Sequence, residues 1–322
     1  VKQTLSPIIH KDQYTDLIER DLLEYLKEVI FDPLFEEARE EGLNVRENDE
    51  MALREALRTG RVWYADGTFY GKFNAAISKE LRSIGASKSG DTFKLEQALV
   101  PLDIRQLIAA SKQKSEDIHK TLIKTLQDMQ ANLLAAPTGI DLVKSVDKIS
   151  SDLQKQFSES VADVEGITVE PEITPGIAKA MREKLTLATD LEIKNFSIEL
   201  TQELRAKVQQ NLFAGGRADR LQKILEAEYG IAKRKARFIA EQETSLAVSK
   251  YREERYKEIG STEYIWSTSN DALVREDHQE LNKRVFSWSS PPIVDTARGR
   301  RANPGEDYNC RCVAIPILNY YE

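Results

Sequence analysis

The apolar residues Ile118, Leu122, Leu126, Met129 and Leu133 recur at spacings of four and three, and no other feature constrains the fold as tightly. At about 3.6 residues per turn they form one stripe along an α-helix, which is stable only when another element covers it. Ile193, Phe196, Leu200, Leu204, Val208 and Leu212 repeat the pattern further on, up to Gly215-Gly216, which can end a helix. Leu17, Leu22, Leu26, Val29 and Ile30 form a third stripe, with an interruption expected at Pro33. Ala136-Pro137-Thr138-Gly139 should break the first stripe and Asp141 should cap its successor, giving a helical hairpin over 103–163. Residues 164–176, with Gly166, Pro171, Pro175 and Gly176, read as a connector, and two helices separated at Gly230 are expected over 217–260. The chain is therefore expected to be mainly α, with long amphipathic helices and helical hairpins packed together.

Composition agrees with a folded, helix-rich chain, at 41% hydrophobic and 31% charged residues over 322 positions. That length suggests two or three domains. Apolar runs such as 313–318 are too short to cross a bilayer, and no charged-then-apolar leader is visible at Val1, so neither membrane insertion nor secretion is expected. A net charge of −7 argues against nucleic-acid binding over the whole surface. Two local patches could still meet phosphate, Lys233-Arg234-Lys235 and the loop bearing Arg298, Arg300 and Arg301; the alternatives are a solvated helix face and a polar loop. A helix-turn-helix reader over 217–260 is disfavoured because Glu226, Glu228, Glu241 and Glu243 would repel phosphate.

Four consecutive segments are expected. Residues 1–50 form an N-terminal helical segment. Residues 51–102 form a small aromatic-rich α+β or hairpin region: a helix stopping near Gly60, an extended 61–64, a turn at Ala65-Asp66-Gly67 and a helix from Lys72 to Ile84. Trp63, Tyr64, Phe69, Tyr70 and Phe73 should supply its local core rather than a platform for bases. Residues 103–230 form the long-helix region. Residues 231–322 carry a C-terminal α+β module with strand-like EYIWSTS, RVFSWSS and CVAIPIL around a helical DALVREDHQEL.

That module holds the chain's two cysteines, Cys310 and Cys312. Two residues apart they make a poor disulfide, and an extended backbone would turn both thiols to one face and Arg311 to the other. Asp271 is placed to cap the helix, with Arg275 and His278 at i+4 and i+7 on the same face. His278, Cys310 and Cys312 are the right types for a zinc site, with Asp271 or water as a fourth ligand. His278-Gln279-Glu280 with a cysteine pair echoes the zinc deaminases, but those need a Cys-x-x-Cys turn, and Pro304 lies six residues before Cys310. A thiol nucleophile with His278 as base lacks an accompanying anion cradle. The remaining alternative is structural: Asp271, Arg275 and His278 pin the loop NPGEDYNCRC while the thiols pack inside.

The run at 266–281, the pair Pro291-Pro292 and the segment NPGEDYNCRCVAIP together resemble the C-terminal signature of tailed-phage minor head proteins, the Mu protein F-like or phage head morphogenesis family. The residues that carry the resemblance are Trp266, Thr268, Asp271, Arg275, His278, Asn309, Cys310, Arg311 and Cys312. Upstream, ARFIAEQETSLA is similar to the family's Ala-Arg-x-Ile-Ala-x-x-Glu-Thr helix at Ala236, Arg237, Ile239, Ala240, Glu243 and Thr244. Two positions depart: Asn282 stands where glycine is common, and Asn303 where a histidine often precedes the proline. The resemblance implies a non-enzymatic virion component made in the host cytoplasm, lying inside the capsid near the portal. Its implied partners are the portal protein, the major capsid or scaffold protein, and packaged DNA. Some family members carry toxin domains beyond the Cys-Arg-Cys motif, and none is expected in the ten residues that follow here.

Overall fold

The computed structural model describes residues 2–40, 52–58, 61–162, 164, 175–213 and 218–319. Gly60, the connector residues Gly166 and Pro171, and Gly215-Gly216 lie outside them. In chain order the elements begin with β1 (Lys2–Thr4), α1 (Asp12–Leu26), α2 (Asp32–Glu40), α3 (Leu53–Arg58), β2 (Val62–Ala65), β3 (Thr68–Gly71), α4 (Ala75–Ser83), β4 (Ser87–Ser89) and β5 (Thr92–Lys94). Then come the long helices α5 (Leu102–Ala135), α6 (Val143–Val161), α7 (Pro175–Phe213) and α8 (Ala218–Glu258). The C-terminal region adds β6 (Glu263–Ser267), α9 (Glu276–Leu281), β7 (Val285–Ser287), β8 (Ile293–Asp295), β9 (Arg300–Arg301) and β10 (Val313–Asn319). The chain is mainly α with a C-terminal α+β region, as expected.

Two compact units are formed, each discontinuous in sequence. The first comprises Val1–Tyr25, Pro137–Asn195 and Lys233–Glu322; the second comprises Leu26–Ala136 and Phe196–Ala232. α5 falls in the second unit and α6 in the first. Pro33 does not break its helix. Residues Lys27–Phe31 wind as a π-turn in which the Asp32 N–H reaches the Lys27 carbonyl, and the helix resumes as α2. Gly230 does not separate two helices either. It lies inside α8, where a Cβ would meet nothing within 4 Å, and the helix absorbs the glycine's cost of about 1 kcal/mol.

In the second unit, Asp66 and Gly67 adopt φ of 48° and 74°, the paired left-handed conformation of a tight hairpin turn. The turn sets the β2–β3 register, Ala65 opposite Thr68 and Tyr64 opposite Phe69, within a sheet of order β2-β3-β5-β4. Asn74 caps α4 by accepting from the Ile77 N–H at 2.7 Å, so this helix starts at Ala75 rather than Lys72. Phe69, Phe93, Ile77, Leu81, Leu53 and Ile104 close the core, with Tyr64 and Phe73 packed against it. Trp63 and Tyr70 stack on each other at 5.4 Å and stay half-buried. Along α5, Ile118, Leu122, Leu126 and Leu133 are buried, and Met129 half-buried. His119 is buried beside them, donating from Nδ1 to the Ser115 carbonyl at 2.6 Å and accepting on Nε2 from the Asn211 amide at 3.1 Å. Burial lowers its pKa.

In the first unit, four antiparallel strands form a sheet of order β1-β10-β6-β7. The edge strand β1 comes from the opposite end of the sequence, pairing Lys2 with Asn319 and Thr4 with Ile317. Arg252 of α8 is buried and donates from Nε and Nη2 to the Ile8 carbonyl at 2.9 and 2.6 Å. Tyr256 donates to the Ser6 carbonyl at 2.9 Å. One helix face thus holds the segment that follows β1. Ala236, Ile239, Ala240, Glu243 and Thr244 are all buried, following the spacing of one helix face. Arg237 instead reaches Glu19 on α1 at 2.8 Å and Glu241 at 3.0 Å.

Candidate functional site

Alternation along β6 puts Tyr264 and Trp266 on the buried side of the sheet, and the Trp266 ring meets His278 edge-on, with centroids 5.6 Å apart. After β6 the chain turns through Asn270, at φ 55°, and is tied by three side chains. Thr268 Oγ1 donates to the Asn270 side-chain oxygen Oδ1 at 3.0 Å, the Asn282 amide donates to the same oxygen at 3.1 Å, and the Thr268 N–H donates to Asn282 Oδ1 at 3.1 Å. Asn282 therefore closes this turn.

Asp271 does not cap the helix. Its carboxylate accepts from the Leu273 N–H at 2.9 Å, closing an Asx-type turn, and α9 begins later at Glu276 with Arg275 at its N-cap position. The shared helix face expected for Asp271, Arg275 and His278 is thus replaced by two separate contacts with the cysteine loop. Asp271 accepts from Arg311 Nη2 at 2.8 Å on the surface, which holds its carboxyl below the usual range. Arg275 donates to Asp307 and to the Tyr308 carbonyl.

The loop itself is held by α8. Ser245 donates to the Gly305 carbonyl and Ser249 to the Pro304 carbonyl, each at 2.9 Å. Gly305 has φ 90°, and a Cβ there would lie 3.5 Å from Ser249 Cβ, so backbone conformation favours glycine here. Asn303 is buried and accepts from the Tyr264 hydroxyl at 2.9 Å. Asn309, at φ 49°, takes the left-handed conformation that asparagine tolerates, and its N–H donates to Gln242 at 3.0 Å. This kink delivers Cys310 and Cys312 inward; both precede β10 rather than lying in it.

The two thiols converge on one atom. Cys310 Sγ and Cys312 Sγ each lie 3.6 Å from His278 Nδ1, and the three ligand atoms are all within 4.8 Å of one another. All three side chains are buried, and among the described residues no further histidine, cysteine or carboxylate joins the group. Asp271, expected as a fourth ligand, is held away on Arg311. On the other side of the imidazole, Nε2 meets Asp307 Oδ2 at 3.2 Å. Asp307 is itself 1% exposed and ion-paired to Arg275 and to Arg300, the latter at 2.7 Å. Hydrogen bonding to Cys310 raises the His278 pKa, against the opposing effect of burial. Hydrogen bonding between the thiols lowers that of Cys310 and raises that of Cys312, so the pair releases its first proton easily and its second with difficulty.

The basic positions are dispersed among partners. Arg298 and Arg300 reach Asp295 at 3.0 and 3.3 Å, Arg301 donates to the Pro291 carbonyl at 2.8 Å, and Lys233 and Arg234 are exposed on α8. Sequence reasoning missed Asp307, Arg300 and Arg252 as organising residues. For Asp307 the available signal was an acidic residue three positions before Cys310, in a loop whose neighbours must be buried.

These elements define a helical protein whose C-terminal α+β module is closed by a buried His-Cys-Cys cluster. Residues 202–315 match the family model described as Phage Mu protein F like protein, a span from the last third of α7 into β10 that contains every motif residue above. Over this region, about a third of its length, the chain is similar to the Mu protein F-like family. An 89-residue stretch is 39% identical to an uncharacterized protein of Haemophilus influenzae, covering 28% of this chain and 19% of that protein. The match thus spans about one fifth of that relative's length. No solved structure matches the chain.

Proposed function

We propose that this chain is a minor head protein of a tailed phage, a structural and assembly component placed inside the capsid near the portal. The Mu protein F-like match over 202–315 carries this reading. The motif residues support it, because Asp271, Arg275, Asn309 and Arg311 hold the loop by mutual contacts and the cluster is buried. Such a constellation serves a module that must keep its shape rather than one that turns over substrate, so the chain is not an enzyme in this reading. Its partners are the portal protein and the capsid or scaffold protein, with packaged DNA as a further contact during packaging or ejection.

The test is to delete the coding sequence from the phage and restore it in trans. The expected result is loss of infectious particles on deletion, recovery on complementation, and portal-proximal density in wild-type heads that is absent from heads lacking the chain. Normal particle yield and infectivity without the chain would overturn the proposal.

A further inference from the structure

The geometry points to a zinc site built from His278 Nδ1, Cys310 Sγ and Cys312 Sγ, with one non-protein ligand such as water in the fourth position. Around a tetrahedral zinc with bonds of about 2.3 Å to sulfur and about 2.1 Å to nitrogen, the sulfur–nitrogen edge is about 3.6 Å. Both thiols lie 3.6 Å from Nδ1.

Hydrogen bonding gives this arrangement only one direct link to the ring: a single imidazole nitrogen offers either one proton or one lone pair, so of the two buried thiols directed at it one must bond the other sulfur instead. A cation among the three satisfies all of them. The outer contacts have the form that zinc-binding histidines use. Asp307 accepts at Nε2 from the far side of the ring, so the proton resides on Nε2 and the Nδ1 lone pair faces the sulfurs. Asp307 is in turn held by Arg275 and Arg300. The charges also balance: two thiolates neutralise the dication, and the arginines compensate Asp307. Two sulfurs and an imidazole select zinc over magnesium or calcium, which prefer oxygen. Bound there, zinc joins α9 to the segment entering β10, cross-linking positions 278 and 310–312 without a disulfide.

The experiment uses the full chain purified without chelators. Elemental analysis should give about one zinc per chain, and Cys310→Ser/Cys312→Ser should reduce it at least tenfold. Asp307→Asn, which keeps all three ligands, should weaken zinc binding about 10- to 100-fold in a competition titration. Cobalt added to metal-free wild-type protein should saturate at one equivalent with a thiolate-to-cobalt charge-transfer band. This measurement needs no variant to fold. Absence of that band, or zinc content unchanged in the double variant, would overturn the site. Neither result bears on the head-assembly reading, which rests on the family match.

Discussion

Glu243 offers a direct test of how burial acts in the first unit. It is 6% exposed on α8, and burial, with the like charge of Glu192 as a second cause, raises its pKa from 4.5 to about 7. The folded protein therefore holds this proton more tightly than the unfolded chain. Its contribution is fully present below the unfolded value of 4.5 and is lost as pH rises through about 7. With these two values the carboxyl costs about 1.4 kcal/mol near pH 5.5 and about 3.4 kcal/mol near pH 8.5, a difference of about 2 kcal/mol as an upper figure. Glu243→Gln removes the ionisation while keeping the shape. Urea unfolding of both proteins at the two pH values isolates the effect, because every other titrating group is common to them. The variant should gain up to about 2 kcal/mol more on wild type near pH 8.5 than near pH 5.5. If both proteins lose stability equally over that range, Glu243 is not the protonated group and the argument from its burial is wrong.

Three further outcomes follow from local geometry. Gly71→Ala should abolish folding of the β2–β3 region, since φ is 131° and the new Cβ would sit 2.1 Å from the Arg61 carbonyl oxygen; amide exchange across residues 62–71 is the readout. Asn74→Ala removes the α4 cap and should cost about 1 kcal/mol in urea unfolding, most of it recovered by Asn74→Asp. Trp266→Ala empties a fully buried site against His278 and Phe286 and should cost about 3–5 kcal/mol, measured by the unfolding midpoint.

The helical stripes were legible because a buried face repeats its period over many turns, as Ile118 to Leu133 and Ile193 to Val208 do. The Asp66-Gly67 hairpin was legible for a different reason: two consecutive left-handed residues leave few sequence choices. Asp271 was misread because an aspartate ahead of a helix caps the helix or closes an Asx turn by the same type of hydrogen bond. Gly230 was misread because a propensity cost of about 1 kcal/mol does not end a helix whose flanks, Leu225 and Ala232 among them, are buried. At the cluster, residue types and spacing identified His278, Cys310 and Cys312 as a set. Asp307 and Arg300 escaped because their roles depend on loop conformation, which leaves no periodic trace. The pairing of β1 with β10 has no local signal at all, with three residues on one side and a partner at the far end of the sequence.

That pairing carries a consequence for synthesis. Lys2–Thr4 are synthesised long before their partners Ile317–Asn319, so the sheet cannot reach its final width until β10 has emerged. The Ser6 and Ile8 carbonyls accept from Tyr256 and Arg252, so α8, made before β10, offers the segment after β1 a hold beside the place where its strand partner arrives. A chain lacking β10 therefore leaves both β1 and β6 without this strand partner, with open edges where the sheet would have closed.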